Sequence, residues 1–171
     1  MKSKKLLSII LALAMMFSVL PASTILVYAD EITETISADT TWNDGDTVGG
    51  VTISGGTVTI NGDVGITAAI TIKGDVTFTG GGTLNRMSTS GNLIKVESGS
   101  LTLGNVTIDG NDVIISDSWT AAAINMAGGT VIMNDGTKIT NHKRTSGYGP
   151  AVYMAGGNFK MKGGTISGCE S

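Results

Sequence analysis

The sequence predicts an all-β chain, wound as a right-handed, single-stranded parallel β-helix of about five coils and preceded by a helical signal peptide. Three observations carry this. Short alternations of apolar and polar residues recur from Val51 onward, the pattern of strands with one buried face. Glycine-rich turns separate them, with all 25 glycines after residue 29 and Pro150 the single proline there. Finally, the C-terminal part states one pattern twice, "MAGGTVIMNDGTKIT" and then "MAGGNFKMKGGTIS".

The elements follow in order. Lys2, Lys4 and Lys5 precede a continuous apolar run from Leu6 to Leu20, and Val27-Tyr28-Ala29 puts small residues where a signal peptidase cuts. Residues 1–29 therefore read as a secretory signal, with the chain secreted or held at the cell surface. The run is short for a membrane span, and no stop-transfer pattern follows. Three of the 11 basic residues leave with the signal and all 14 acidic ones stay, so the mature chain carries 8 − 14 = −6. That balance argues against nucleic acid as a partner.

Residues 30–50 read as an N-terminal strand and cap, with "ITETISADTTW" forming a first strand and Trp42 covering the end of the core. Residues 51–171 read as the repeats. Aligning "VTISGGTVTINGD", "ITIKGDVTFTGGGTLNR", "IKVESGSLTLGNVTIDGN", "INMAGGTVIMNDGTKITNH" and "VYMAGGNFKMKGGTISGC" puts Val58, Val76, Leu101, Val131 and Phe159 in one position, at steps of 18, 25, 30 and 28 residues. Such a period marks a solenoid whose corners carry loops of unequal length. Alternation then assigns the inward residues. They are Val51, Ile53, Val58 and Ile60, then Ile70, Ile72, Val76, Phe78 and Leu84, with equivalents in each later coil. Met126/Met133 and Met154/Met161 occupy slots held one coil earlier by Val96 and Leu103. A metal site could not exchange sulfur for Val or Leu, whereas a core position asks only for apolar volume.

The stretches "GGTVIMNDGTKIT" and "GGNFKMKGGTISG", with "GGTLNRMSTSGNLIKVESGSLTLGNVTIDGN", resemble repeats of bacterial adhesin-like surface proteins with the pectin-lyase-like β-helix. The resemblance covers most of the chain after Trp42, and it implies surface display and adhesion, with no catalytic motif to carry over. Such proteins are usually longer, so the chain reads as truncated at its C-terminus, with an open coil end and end-to-end self-association as its consequence.

Function is then sought on the loops after the third strand, at 85–91, 111–121 and 142–149, which coil stacking at about 4.8 Å brings side by side. Trp119 and Tyr148 are the expected sugar-stacking residues, with Arg86, Asp112, Asp117, Lys143 and Arg144 supplying hydrogen bonds. A glycan or a neighbouring cell surface is the expected partner. No cofactor or metal is expected. His142 is the sole histidine, read as an exposed loop residue, and "DGND" (109–112) reads as a turn and not a calcium loop. The alternative is a truncated polysaccharide lyase or glycoside hydrolase of the same fold. Against it, the outward columns Thr71/Lys95/Asn125/Tyr153 and Thr59/Thr77/Thr102/Ile132/Lys160 hold no carboxylate pair. An ice-binding threonine array is broken after "TVT" and "TFT".

Overall fold

A computed structural model describes residues 32–116 and 119–171. The signal segment 1–29 and Asp117 lie outside the described residues. Within them every named element is a strand, all named strand pairs are parallel, and no helix is long and apolar enough to cross a membrane.

The described chain makes six successive passes over the same three positions. The first runs through β1 (Thr35–Ile36), β2 (Thr40–Asn43) and β3 (Thr47–Val48). The second and third each fuse their first two positions into one long strand, giving β4 (Thr52–Asn61) with β5 (Asp63–Ile66), then β6 (Ile70–Thr79) with β7 (Thr83–Arg86). The fourth comprises β8 (Ile94–Val96), β9 (Ser100–Leu103) and β10 (Thr107–Asp109), with β11 (Ile114–Ile115) in its loop. The fifth repeats this as β12 (Ile124–Met126), β13 (Thr130–Met133) and β14 (Lys138–Thr140), with β15 (Lys143–Arg144) in its loop. The last is β16 (Val152–Met154), β17 (Asn158–Met161) and β18 (Thr165–Ser167). First and second positions form one 10-stranded sheet, third positions a 6-stranded sheet, and β11 and β15 a small third sheet. Parallel sheets curled in this way are what a solenoid requires.

Of the segment 30–50, expected to be a strand and a cap, the described residues 32–50 supply a full pass. Thr35–Ile36 pairs with Thr52–Ile53, Thr40–Asn43 with Val58–Asn61, and Thr47–Val48 with Gly65–Ile66. Trp42 is buried as expected, edge-on to Phe78 at 5.9 Å between ring centres.

Alternation drives the packing. In passes two to five the expected inward residues are all buried, Met126 and Met133 among them at 0% exposure. Each removes a side chain from water, worth about 1.5–3 kcal/mol. The sixth pass departs from the expectation. Met154, Met161 and Ile166 face the same way as their neighbours yet stay 47%, 50% and 38% exposed, because no described strand lies over that edge.

The sequence alignment also slips at one step. Val58 pairs with Phe78, not Val76, and Val76 stands opposite Gly56. The cause is an irregularity after Ile53↔Ile72: β6 uses one more residue than β4 before pairing resumes at Gly55↔Asp75. The outward threonine column is accordingly Thr57–Thr77–Thr102, with Thr59 beside Thr79. At the corner between first and second positions, close stacking demands glycine. Gly129 has φ +70°, and a Cβ there would meet the Gly99 carbonyl oxygen at 2.6 Å.

Candidate functional site

The loops after the third position do come together, and the bonds that hold them explain which side chains remain for a ligand. Where the chain leaves the sheet to form a loop, its carbonyls lose their ladder partners and need other donors. Two arginines supply them. Arg86, 1% exposed, donates to Gly91 O at 3.0 Å and across to Ala122 O at 3.1 Å. Arg144, 5% exposed, donates from Nε to Ser146 O at 2.9 Å and from Nη1 to Ala121 O and Tyr148 O. Adjacent carbonyls of the middle loop are thus clamped from either side by the loops of the neighbouring passes.

Both arginines are expected from the sequence to face a ligand, and the structure corrects this. Arg86 stands in the column of Ile66, and Arg144 in that of Ile115. Their place in the alternation turns them inward, and the planar fork of five donors lets a guanidinium satisfy several loop carbonyls at once.

His142 is corrected likewise. Asn141 at φ +57° redirects the chain, and the imidazole turns in, fully buried, with Nε2 3.3 Å from Ile108 O. Burial first, and the nearby Arg86 charge second, push its pKa down to about 4, so the ring is neutral at ordinary pH. Asp112 and Lys143, also expected to contact a ligand, pair with each other at 3.0 Å beside β11 and β15. That hydrogen bond and charge raise the Lys143 pKa. In "DGND", Asp109 accepts from Asn111 N at 2.7 Å and from Asn141 Nδ2, so its carboxylate orders the turn.

Trp119 and Tyr148 remain. They are 70% and 60% exposed and lie on loops tied together by Tyr148 N donating to Trp119 O at 3.0 Å. The Tyr148 ring lies 5.6 Å from that of Tyr153, tilted by 34°. Tyr153 belongs to the outward column of the first position, where it follows Lys95 and Asn125 as expected. Asn125 reaches from that column to Thr120 O at 3.0 Å and so ties the sheet to the middle loop. Lys95 donates to Glu97 at 2.6 Å, and Lys73 approaches the same carboxylate at 3.5 Å. Those contacts, the Lys95 hydrogen bond foremost, hold Glu97 below the usual carboxylate range.

The result is an aromatic surface at the junction of two loops and the first-position sheet. The Lys95 ammonium lies in the same column as Tyr153, with the Asn125 amide between them buried against Thr120 O, and the buried Arg144 holds the Tyr148 carbonyl from below. Aromatic faces beside hydrogen-bonding groups suit ligands with one apolar side and polar edges, as sugar rings have. Tyr153 is not singled out as a site residue by the sequence, because its neighbourhood to Tyr148 depends on the path of the 142–149 loop. Its outward parity is the available signal.

The outward faces do carry carboxylates outside the two columns considered in the sequence. Asp75 accepts from Ser100 Oγ at 2.8 Å, and Asp63 and Asp109 lie on the third-position sheet. Comparison with family models, curated proteins and solved structures gives no match, so the chemistry of this surface rests on its own residues.

Proposed function

We propose that the chain is an exported, right-handed parallel β-helix module of the pectin-lyase-like, adhesin-like kind, which binds carbohydrate on a cell surface through Trp119, Tyr148 and Tyr153. The observation that carries this reading is the exposure of two large aromatic rings on loops whose backbones are bonded together. Exposed aromatics held in place need little further ordering on binding, so more of the contact free energy appears as affinity. The in-register pairing of six passes supports the fold assignment. The residue patterns "GGTVIMNDGTKIT" and "GGNFKMKGGTISG" support the surface-protein assignment.

In this reading the sheet stack is a scaffold. One sugar ring lies against Tyr148 or Tyr153, a second against Trp119, and hydroxyls bond to Lys95 and loop carbonyls. The test is a glycan array probed with the mature chain and with Trp119→Ala and Tyr148→Ala. Binding to a defined set of glycans, lost by at least tenfold in each variant at unchanged circular dichroism, is the expected result. Glycan binding that survives both substitutions would sink the assignment of this surface.

A further inference from the structure

Arg86 and His142 are buried at 1% and 0% exposure, and one glycine lies between them. Asn85 pairs with Asp109 and Asp109 with Thr140, so Gly110 follows above Arg86 and below the Asn141–His142 turn. Gly110 N donates to Thr140 O at 2.8 Å, and a Cβ on Gly110 would meet His142 Cα at 2.6 Å. The intervening pass thus puts no side chain of its own between the guanidinium and the imidazole in that column. With Nε2 bonded to Ile108 O, the nitrogen that takes up a proton in acid is Nδ1, and it has no hydrogen-bond partner to receive that proton.

We infer that His142 makes the loops acid-labile: a proton on its ring sets a second buried cation beside Arg86, and the clamp that Arg86 forms lets go. Arg86 donates to Gly91 O and to Ala122 O, so it joins the 85–91 loop to the end of the middle loop. Leu93 N donates to the same Ala122 O, and Ala122 N donates to Asn92 Oδ1. Like charges out of water repel strongly, and the repulsion is relieved when water reaches one of them. The strands keep their own ladder, so the relief falls to the loops.

The neighbouring groups do not cancel that charge. Arg86 faces the ring from β7 and opposes its protonation. Asp109 faces it from β10 and favours protonation, but its carboxylate already accepts from Asn111 N and Asn141 Nδ2. The Cys169 thiol accepts from the His142 backbone, and burial raises its pKa, so it stays uncharged in acid. Next in the chain, Lys143 is paired with Asp112, and Arg144 is turned to the loop carbonyls. In the closed loops the ring protonates near pH 4, while in opened loops its pKa returns towards 6.5. Closure is therefore at full strength above pH 6.5, and each pH unit lost from there to pH 4 favours opening by up to about tenfold. None of this depends on what the loops bind, so it stands apart from the glycan reading.

His142 is the only histidine in the chain, so its Cε1–H resonance reports its protonation unambiguously. The test is a nuclear magnetic resonance titration from neutral pH into acid, with amide exchange followed at Leu93 and Ala122. The expected imidazole midpoint is near pH 4, and Arg86→Gln should move it upward. Protection of the two amides, corrected for the intrinsic pH dependence of exchange, should fall at least tenfold on acidification through that window. The fall should respond little to low urea, which marks a local opening, and His142→Gln should abolish it. The exchange comparison needs no change at Arg86, so it decides the matter even where that variant does not fold. A midpoint that Arg86→Gln leaves in place would overturn the proposal. So would a loss of protection equal in His142→Gln, or exchange at Leu93 and Ala122 that proceeds only through urea-sensitive global unfolding.

Discussion

Arg144→Ala isolates the clamp beneath the aromatic surface. The guanidinium donates to Ser146 O, Ala121 O and Tyr148 O from a site 5% exposed. Removing it leaves three loop carbonyls without that donor. At about 1 kcal/mol for each carbonyl left poorly satisfied, the loops lose about 3 kcal/mol. The loss should be local, because the stacked strands keep their own ladder while the loops depend on the arginine. Amide hydrogen exchange reads this directly. Tyr148 N, bonded to Trp119 O, and Thr145 N, bonded to Ile115 O, are the reporters. A loss of about 3 kcal/mol corresponds to exchange roughly a hundredfold faster at those amides, with the amides of β13 unchanged. Glycan affinity should fall with the loop order although Arg144 itself does not face the ligand. Unchanged exchange at 145 and 148 would refute the clamp. An equal rise throughout β13 would show that Arg144 supports the stack and not the loop.

Two further outcomes follow from the buried groups. The His142 pKa is lowered from 6.5 to about 4 in the folded chain, so the unfolded chain takes up the proton first as pH falls. The stability this histidine contributes is complete above about pH 6.5 and is lost between there and pH 4, by up to about 3 kcal/mol. Urea midpoints measured across that window should fall with pH, and His142→Gln should flatten the slope. A slope unchanged by the substitution would contradict the burial. Met133→Leu fills the same slot that Leu103 fills one pass earlier, and should cost less than about 1.5 kcal/mol with glycan binding intact. A large loss of binding at unchanged stability would give the sulfur a role that its burial does not.

Much of this architecture is legible in the sequence because alternation and spacing are properties of the chain itself. The columns Val96–Met126–Met154 and Leu103–Met133–Met161 follow from the repeat spacing alone, and the strand pairing reproduces them. Two things resist. The Val58–Phe78 register depends on one extra residue between Ile72 and Asp75, in a stretch where β4 and β6 run on without a turn to mark the place. The buried arginines resist because a charged residue in a loop looks solvent-facing until the unpaired carbonyls around it are known. Alternation nonetheless puts Arg86 on the inward parity of Leu84. His142 shows the same lesson in another form, since its inward turn follows from the positive φ of Asn141 and not from its own chemistry. Among the expected ligand contacts, Trp119 and Tyr148 stay on the surface, while Arg86 and Arg144 hold the loops from below.

That stacking in register, and nothing about the sulfurs, sets the loops side by side can be measured most directly by nuclear Overhauser contacts in the isotope-labelled protein. The expected contacts join Met133 to Leu103 on one side and to Met161 on the other, and Val58 to Phe78. Contacts pairing Val58 with Val76 in one column, or none between Met133 and Met161, would contradict the stack on which the aromatic surface is built.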